Sequence, residues 1–153
     1  MIEFYKLLEN IKTHLRANPN VTTVTFGDIM DVDLNKTTIF PLAHLMVSNI
    51  SFSERILTAT VDLLFLDIVD DNRKPNAFDE MYDNNNLQDI MNTQLSVGNI
   101  LQSSLRRGEL FSNRMQTLAN VDARPFYDRF ENQLAGWGFT FTIQMPNDNV
   151  SIC

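Results

Sequence analysis

Residues 58–71, TATVDLLFLDIVDD, constrain the fold more than any other stretch of the chain. Successive side chains of a β-strand point to opposite faces. Divided by parity, Leu57, Ala59, Val61, Leu63, Phe65 and Val69 share one face with Asp67. Thr58, Thr60 and Asp62 share the other with Leu64, Leu66, Ile68 and Asp70. The first face reads as core almost throughout, whereas the second changes midway from polar to apolar. A strand of about fourteen residues spans roughly 45 Å, more than a small sheet normally needs. A monomer would therefore expose Leu64, Leu66 and Ile68, and exposed apolar strips of that size mark protein–protein surfaces. The expectation is a subunit contact at these three residues; the competing reading covers them with the polar segment 70–86.

The same parity bears on the aspartates. A metal site needs several carboxylate oxygens converging on one point. Asp62 and Asp67 are separated by an odd number of residues and point to opposite faces, as do Asp70 and Asp71. Asp31 and Asp33 share parity but lie in a stretch that reads as loop. His14 and His44 have no metal spacing with each other or with Cys153. His14 is expected at the surface near a helix end, and His44 as a hydrogen-bonded residue of a strand. With no nucleophile elbow and no glycine-rich phosphate loop, the sequence supports neither catalysis nor a cofactor.

The remaining elements follow from periodicity and breakers. Phe4, Leu7, Leu8, Ile11 and Leu15 recur at helical spacing, and ANPN at 17–20 ends that helix. VTTVTF at 21–26 is β-branched and reads as a short strand. GDIMDVDLNKTT at 27–38 reads as an exposed connection. FPLAHLMVSNISF at 40–52 reads as a central strand, with Ala43, Leu45 and Val47 on one face and Leu42, His44, Met46, Ile50 and Phe52 on the other. A turn at 51–55 then makes a long antiparallel hairpin with the strand that follows. Segment 70–86 reads as a polar loop. Leu87, Ile90, Met91, Gln94, Gly98, Leu101 and Leu105 form one stripe of a helix of about twenty residues, roughly 30 Å long. Asn86 is its expected N-cap, and Arg106, Arg107 and Gly108 its C-terminal signature. GFTFTIQMP at 138–146 alternates cleanly and ends a tail of one or two strands. The predicted fold is a single α+β domain, an antiparallel sheet with an N-terminal helix and one long helix packed on one face.

Composition sets the outer limits. The 153 residues suit one domain, and 44% hydrophobic with 20% charged residues suits a globular chain. The net charge of −7 argues against a surface that grips nucleic acid, but an acidic wall lets DNA slide past without sticking. The lone Cys153 cannot form an intrachain disulfide. No signal-peptide pattern opens the chain and no apolar run approaches a membrane span, so a cytoplasm-like setting, or a particle assembled there, is expected. Arg106 and Arg107, with Arg114 nearby, are the local basic group. They either complement the helix C-terminus or pair with an acidic patch of a neighbouring subunit, such as Asp70, Asp71, Asp79 or Glu80.

Three phrases, TFGDIMDVDLNKTTIFPLAHLMV, ILTATVDLLFLDIVDD and DRFENQLAGWGFTFTIQMPND, resemble small structural proteins encoded by tailed phages and prophages of Bacteroidetes. In form they are similar to the tail-terminator or tail-completion group of head–tail joining proteins, over about residues 20 to 150. The resemblance implies a self-assembled ring, commonly a hexamer, that caps the tail tube and docks it to the neck beneath the portal. It also implies a central channel in which DNA is passing cargo, a location in the virion after assembly in the host cytoplasm, and no bond-making chemistry. Another neck ring, such as a stopper or connector, shares size and composition; a small carboxylate- or metal-dependent enzyme is the reading from a different class.

Overall fold

The computed structural model describes residues 2–29, 32, 37–69, 87–117, 119–129 and 134–147, with no burial or side-chain detail for 2, 3, 37 and 126–129. Asp31, Asp33, Asp70, Asp71, Asp79, Glu80, Asn86 and Cys153 lie outside the described residues.

The chain is an α+β protein built on one five-stranded sheet of order β1-β2-β3-β5-β4. Helix α1 is Ile2–Arg16, strand β1 is Thr23–Phe26, β2 is Leu42–Phe52, β3 is Ile56–Ile68, helix α2 is Leu87–Arg107, the short helix α3 is Glu109–Ser112, β4 is Asp122–Arg129 and β5 is Leu134–Pro146. The hairpin β2–β3 turns at 53–55, closed by the Ser53 amide donating to the Ile56 carbonyl at 2.8 Å. Strand β5 runs antiparallel to β3 over the whole of β3, from Ile56 opposite Pro146 to Ile68 opposite Leu134. One pairing departs from the antiparallel expectation: β1 lies parallel to β2, Thr23 opposite Leu42 through Phe26 opposite Leu45. A parallel return needs a long crossover, and residues 27–41 provide it.

The helix-facing side of the sheet is the main core. Leu57, Ala59, Val61, Leu63 and Phe65 of β3 are fully buried, as the parity of the sequence required. Phe139, Phe141, Ile143 and Met145 of β5 join them, with Leu7, Ile11 and Leu15 of α1 and Val97, Leu101 and Leu105 of α2. A buried Leu or Phe side chain contributes about 1.5–3 kcal/mol, so this cluster dominates the stability of the fold. Helix α2 approaches β5 closely because Gly98 has no side chain: a Cβ there would fall inside the Phe139 ring. The Trp137 indole N–H donates to the Met91 carbonyl at 2.8 Å and fixes the helix on the sheet.

Strand β2 differs from its expected facing. The register slips between Val47 and Asn49, so that Asn49 opposes Thr60 while Val47 opposes Val61. Ser48 is the extra residue of a β-bulge, and its hydroxyl donates to the Thr60 carbonyl at 3.2 Å. The bulge inverts parity downstream. Ile50 therefore returns to the helix-facing side and packs against the core with Val47, rather than sharing a face with Leu42 and His44.

Candidate functional site

The strip Leu64, Leu66 and Ile68 is not an open surface. Leu66 is fully buried, and Leu64 and Ile68 are half-buried. They belong to a second apolar cluster with Phe40, Leu42 and Leu134, packed against Ile29, Val32 and Ile39. Their cover among the described residues is Ile29, Val32, Ile39 and Phe40; Ile29 and Val32 fall in the stretch 27–38, which reads as an exposed connection because its apolar residues are spaced irregularly among Asp, Asn and Thr. The alternative cover, segment 70–86, lies outside the described residues. The premise of exposure is thus corrected: Leu66 presents no surface to a neighbour, and Leu64 and Ile68 present part of one.

Arg106 is engaged within its own chain. Its Nε donates to Gln102 Oε1 at 2.7 Å and its Nη2 to the Ala119 carbonyl at 2.8 Å, tying the end of α2 to the segment that leads into β4. Arg107 is exposed at the same helix end. Their expected acidic partners Asp70 and Asp71 lie outside the described residues.

His44 is fully buried on the outer face of β2. Its Nε2 lies 2.8 Å from the Gly27 carbonyl and its Nδ1 2.7 Å from Thr25 Oγ1. A carbonyl only accepts, so Nε2 carries the proton and Nδ1 accepts from the threonine hydroxyl. This neutral tautomer pins β1 and the start of the crossover to β2. Burial holds its pKa below the usual histidine value, against the opposing pull of the Gly27 carbonyl and of Asp28. Burial likewise lowers His14, with Glu109 pulling the other way.

Asp62 and Asp67 do lie on opposite faces. Asp62 accepts the Thr140 hydroxyl at 2.9 Å across the β3–β5 pair, on the outer face. Asp67 is on the helix-facing side, where burial pushes its carboxyl up while the Ile68 amide, 2.8 Å from Oδ1, pulls it down. Among the described residues no three His, Cys, Asp or Glu side chains come together as ligands.

The outer face beyond His44 is the most extensive open surface of the sheet. No described helix packs on it. β2 contributes Met46, Asn49 and Ser51, β3 contributes Thr58, Thr60 and Asp62, β5 contributes Thr140, Thr142 and Gln144, and β4 contributes Asp122 and Arg124. These side chains are half-buried or exposed. The surface is rich in hydroxyls and amides, and the described side chains add two carboxylates, Asp62 and Asp122, and one arginine, Arg124. Two other features lie at its margins. A cleft of about 290 Å³ at the hairpin end is lined by Arg55, Ile56, Phe111, Arg114, Gln116 and Pro146 among others. Tyr5 and Phe26, 70% and 55% exposed, flank a groove between α1 and β1.

No described helix is long and apolar enough to cross a membrane. Compared with known proteins, the sequence matches no family model and no curated protein.

Proposed function

We propose that the chain is a ring-forming structural subunit at the head–tail junction of a tailed phage, of the tail-terminator type that its sequence resembles, with DNA as passing cargo. The observation that supports it is the one-sidedness of the sheet. The three described α-helices lie against one face, and the part of the opposite face beyond His44 carries a hydroxyl- and amide-rich wall around Asp62 and Asp122. A channel wall for DNA needs that character: polar enough to stay wetted, and without the cationic cluster that would hold phosphate. The acidic chain, at net −7, fits the same role. A closed ring does its work by geometry, presenting one rim to the tail tube and the other to the neck. Its partners are further copies of itself, the tail tube protein and a neck or portal-proximal protein. A stopper or connector ring uses the same wall at a different level of the neck.

The test is composition of the particle. Purified virions of the phage or induced prophage encoding the chain should contain it, at a fixed ratio to the portal protein, with gold-labelled antibody at the head–tail junction. Particles that lack it, from a lysate that contains it, overturn the proposal.

A further inference from the structure

We infer that two copies of the chain pair through the β1 edge, antiparallel about a two-fold axis at Thr25, each seating its Phe26 over the other's α1–β1 groove. The pairing goes beyond the ring reading and does not depend on it.

The first observation is the direction of the β1 main chain. β1 ends the sheet, and among the described residues no strand lies on its other side. The Thr23 amide donates to the Pro41 carbonyl at 3.3 Å and the Gly27 amide to the Leu45 carbonyl at 3.0 Å, so the odd-numbered residues face β2. Alternation then turns the N–H and C=O groups of Val24 and Phe26 away from the sheet. Unpaired edges of this kind are templates for strand addition, and proteins usually blunt them with charge or proline. Thr23–Phe26, TVTF, carries neither.

The second observation is the groove beside that edge. It encloses about 300 Å³ and is lined by Tyr5 and Leu8 of α1, Val24 of β1 and Leu45 of β2. Phe26 stands at its rim, 55% exposed, with its ring edge-on to Phe4 at 6.3 Å. Exposed aromatic side chains around an apolar groove mark a protein–protein surface. The charged groups of the lining, Glu9 and Lys12, lie 3.7 Å apart and compensate each other, so the groove suits an uncharged guest.

Together these features make a second β1 the occupant. The guest must be an uncharged antiparallel strand with outward main-chain groups two residues apart and an aromatic side chain on the helix-facing side. β1 itself meets each requirement when rotated about Thr25. In that register Val24 stands opposite Phe26 of the other copy, and Phe26 opposite its Val24. Their main-chain groups all point outward, so each pair exchanges both N–H···O bonds. Side-chain facing agrees. Val24 lies beside Ala43 and Phe26 beside Leu45 on the helix-facing side, whereas Thr25 lies beside His44 on the outer face. Each Phe26 therefore falls next to the Val24 that lines the other groove, and the two threonines meet on the outer face. Shifting the axis to Val24 or to Phe26 keeps only one such pair within the strands. A contact that uses one surface twice is complete at two copies, so in a ring-forming chain it joins two rings and not neighbours within one.

The experiment combines disulfide cross-linking with sedimentation of the full-length chain. In a Cys153→Ser background, Thr25→Cys places two thiols at the axis, in a non-hydrogen-bonded pair with Cα atoms about 4.5 Å apart, within disulfide reach. Thr23→Cys, on the same face, sets its two thiols roughly 14 Å apart. After mild oxidation Thr25→Cys should give a covalent dimer that extends no further, with roughly ten-fold more product than Thr23→Cys. Phe26→Glu, at an exposed position, should halve the sedimenting mass with a native circular dichroism spectrum, from twice 17.6 kDa to 17.6 kDa for a simple pair. Equal product from the two cysteine variants reports random collision and overturns the inference. Monomer only from a natively folded Thr25→Cys leaves the groove to a foreign strand and overturns it as well. Should loss of the Thr25–His44 bond unfold that variant, the sedimentation decides: a mass that Phe26→Glu leaves unchanged, including a wild-type chain that stays at 17.6 kDa, overturns the pairing.

Discussion

The outer face of the sheet has two ends, built on the same strands, and they behave as different surfaces. At one end Leu42, Leu64, Leu66, Ile68 and Leu134 lie under Ile29, Val32, Ile39 and Phe40 of the crossover. At the other, Asn49, Ser51 and Thr140 are exposed and Thr58, Thr60 and Thr142 half-buried, with no described helix over them. His44 marks the boundary, fully buried between Leu42 and Met46 and bonded to Thr25 of β1 and to Gly27 at the start of the crossover. The change from threonine to leucine along β3 is therefore the footprint of a local lid. An apolar strip is evidence that something covers it, and the chain's own crossover competes with a partner for that role.

Substitutions that exchange the two ends should show the difference directly. Leu66→Asp places an unpaired charge in a fully buried position and should cost about 4 kcal/mol or more, leaving the isolated chain unfolded in urea titrations. Leu42→Ala leaves a cavity under the same lid and should cost about 2–5 kcal/mol. On the open end Thr60→Ala and Thr142→Ala should each stay within about 0.5 kcal/mol of wild type. A Leu66→Asp chain as stable as wild type would mean that the crossover does not seal this end.

The helix-facing side offers a prediction of the opposite sign. Gln94 is buried, and among the described residues neither its amide nitrogen nor its oxygen has a hydrogen-bond partner. Leaving those groups unpaired carries a desolvation cost, so Gln94→Met should stabilise the chain by about 1–2 kcal/mol in the same titration. Loss of stability instead would show that the amide has a role in the packed state.

The boundary residue gives the smallest effect, read as a pH dependence. His44 has a folded pKa below its ordinary 6.5, so the unfolded chain binds more protons between the two values. Its contribution is complete above about pH 6.5 and is lost as pH falls through the folded value. His14 shifts in the same direction and adds to the slope. Stability between pH 7 and 5 should therefore fall, and His44→Phe should flatten that fall without abolishing it. An unchanged slope in His44→Phe would assign the whole effect to other groups. Asp67 has the reverse sign: raised above 3.8, its contribution is complete below that value and lost as pH rises, so Asp67→Asn should gain a little stability at neutral pH.

Much of this was legible in the sequence because burial and period coincide. Parity along β3 gave the core residues Leu57 to Phe65 and separated Asp62 from Asp67; the 87–107 stripe gave α2. Three features were hidden for physical reasons. A bulge leaves no mark beyond a polar pair such as Ser48-Asn49, yet it returns Ile50 to the core. The crossover reads as solvent-exposed because Ile29, Val32, Ile39 and Phe40 follow no regular period, and their shared cluster is visible only once Leu66 and Leu134 are beside them. The parallel pairing of β1 depends on where the crossover returns the chain, and local propensity does not encode that.

The central claim is that copies of this chain form a ring with the open, hydroxyl-rich face towards the channel. Electron cryomicroscopy of the head–tail junction in intact particles tests it most directly. The expected density is a ring of this fold, with Thr60, Asp62 and Thr142 facing the lumen and α1 and α2 on the outside. A ring whose helices line the lumen, or a junction with no density for this fold, would contradict it.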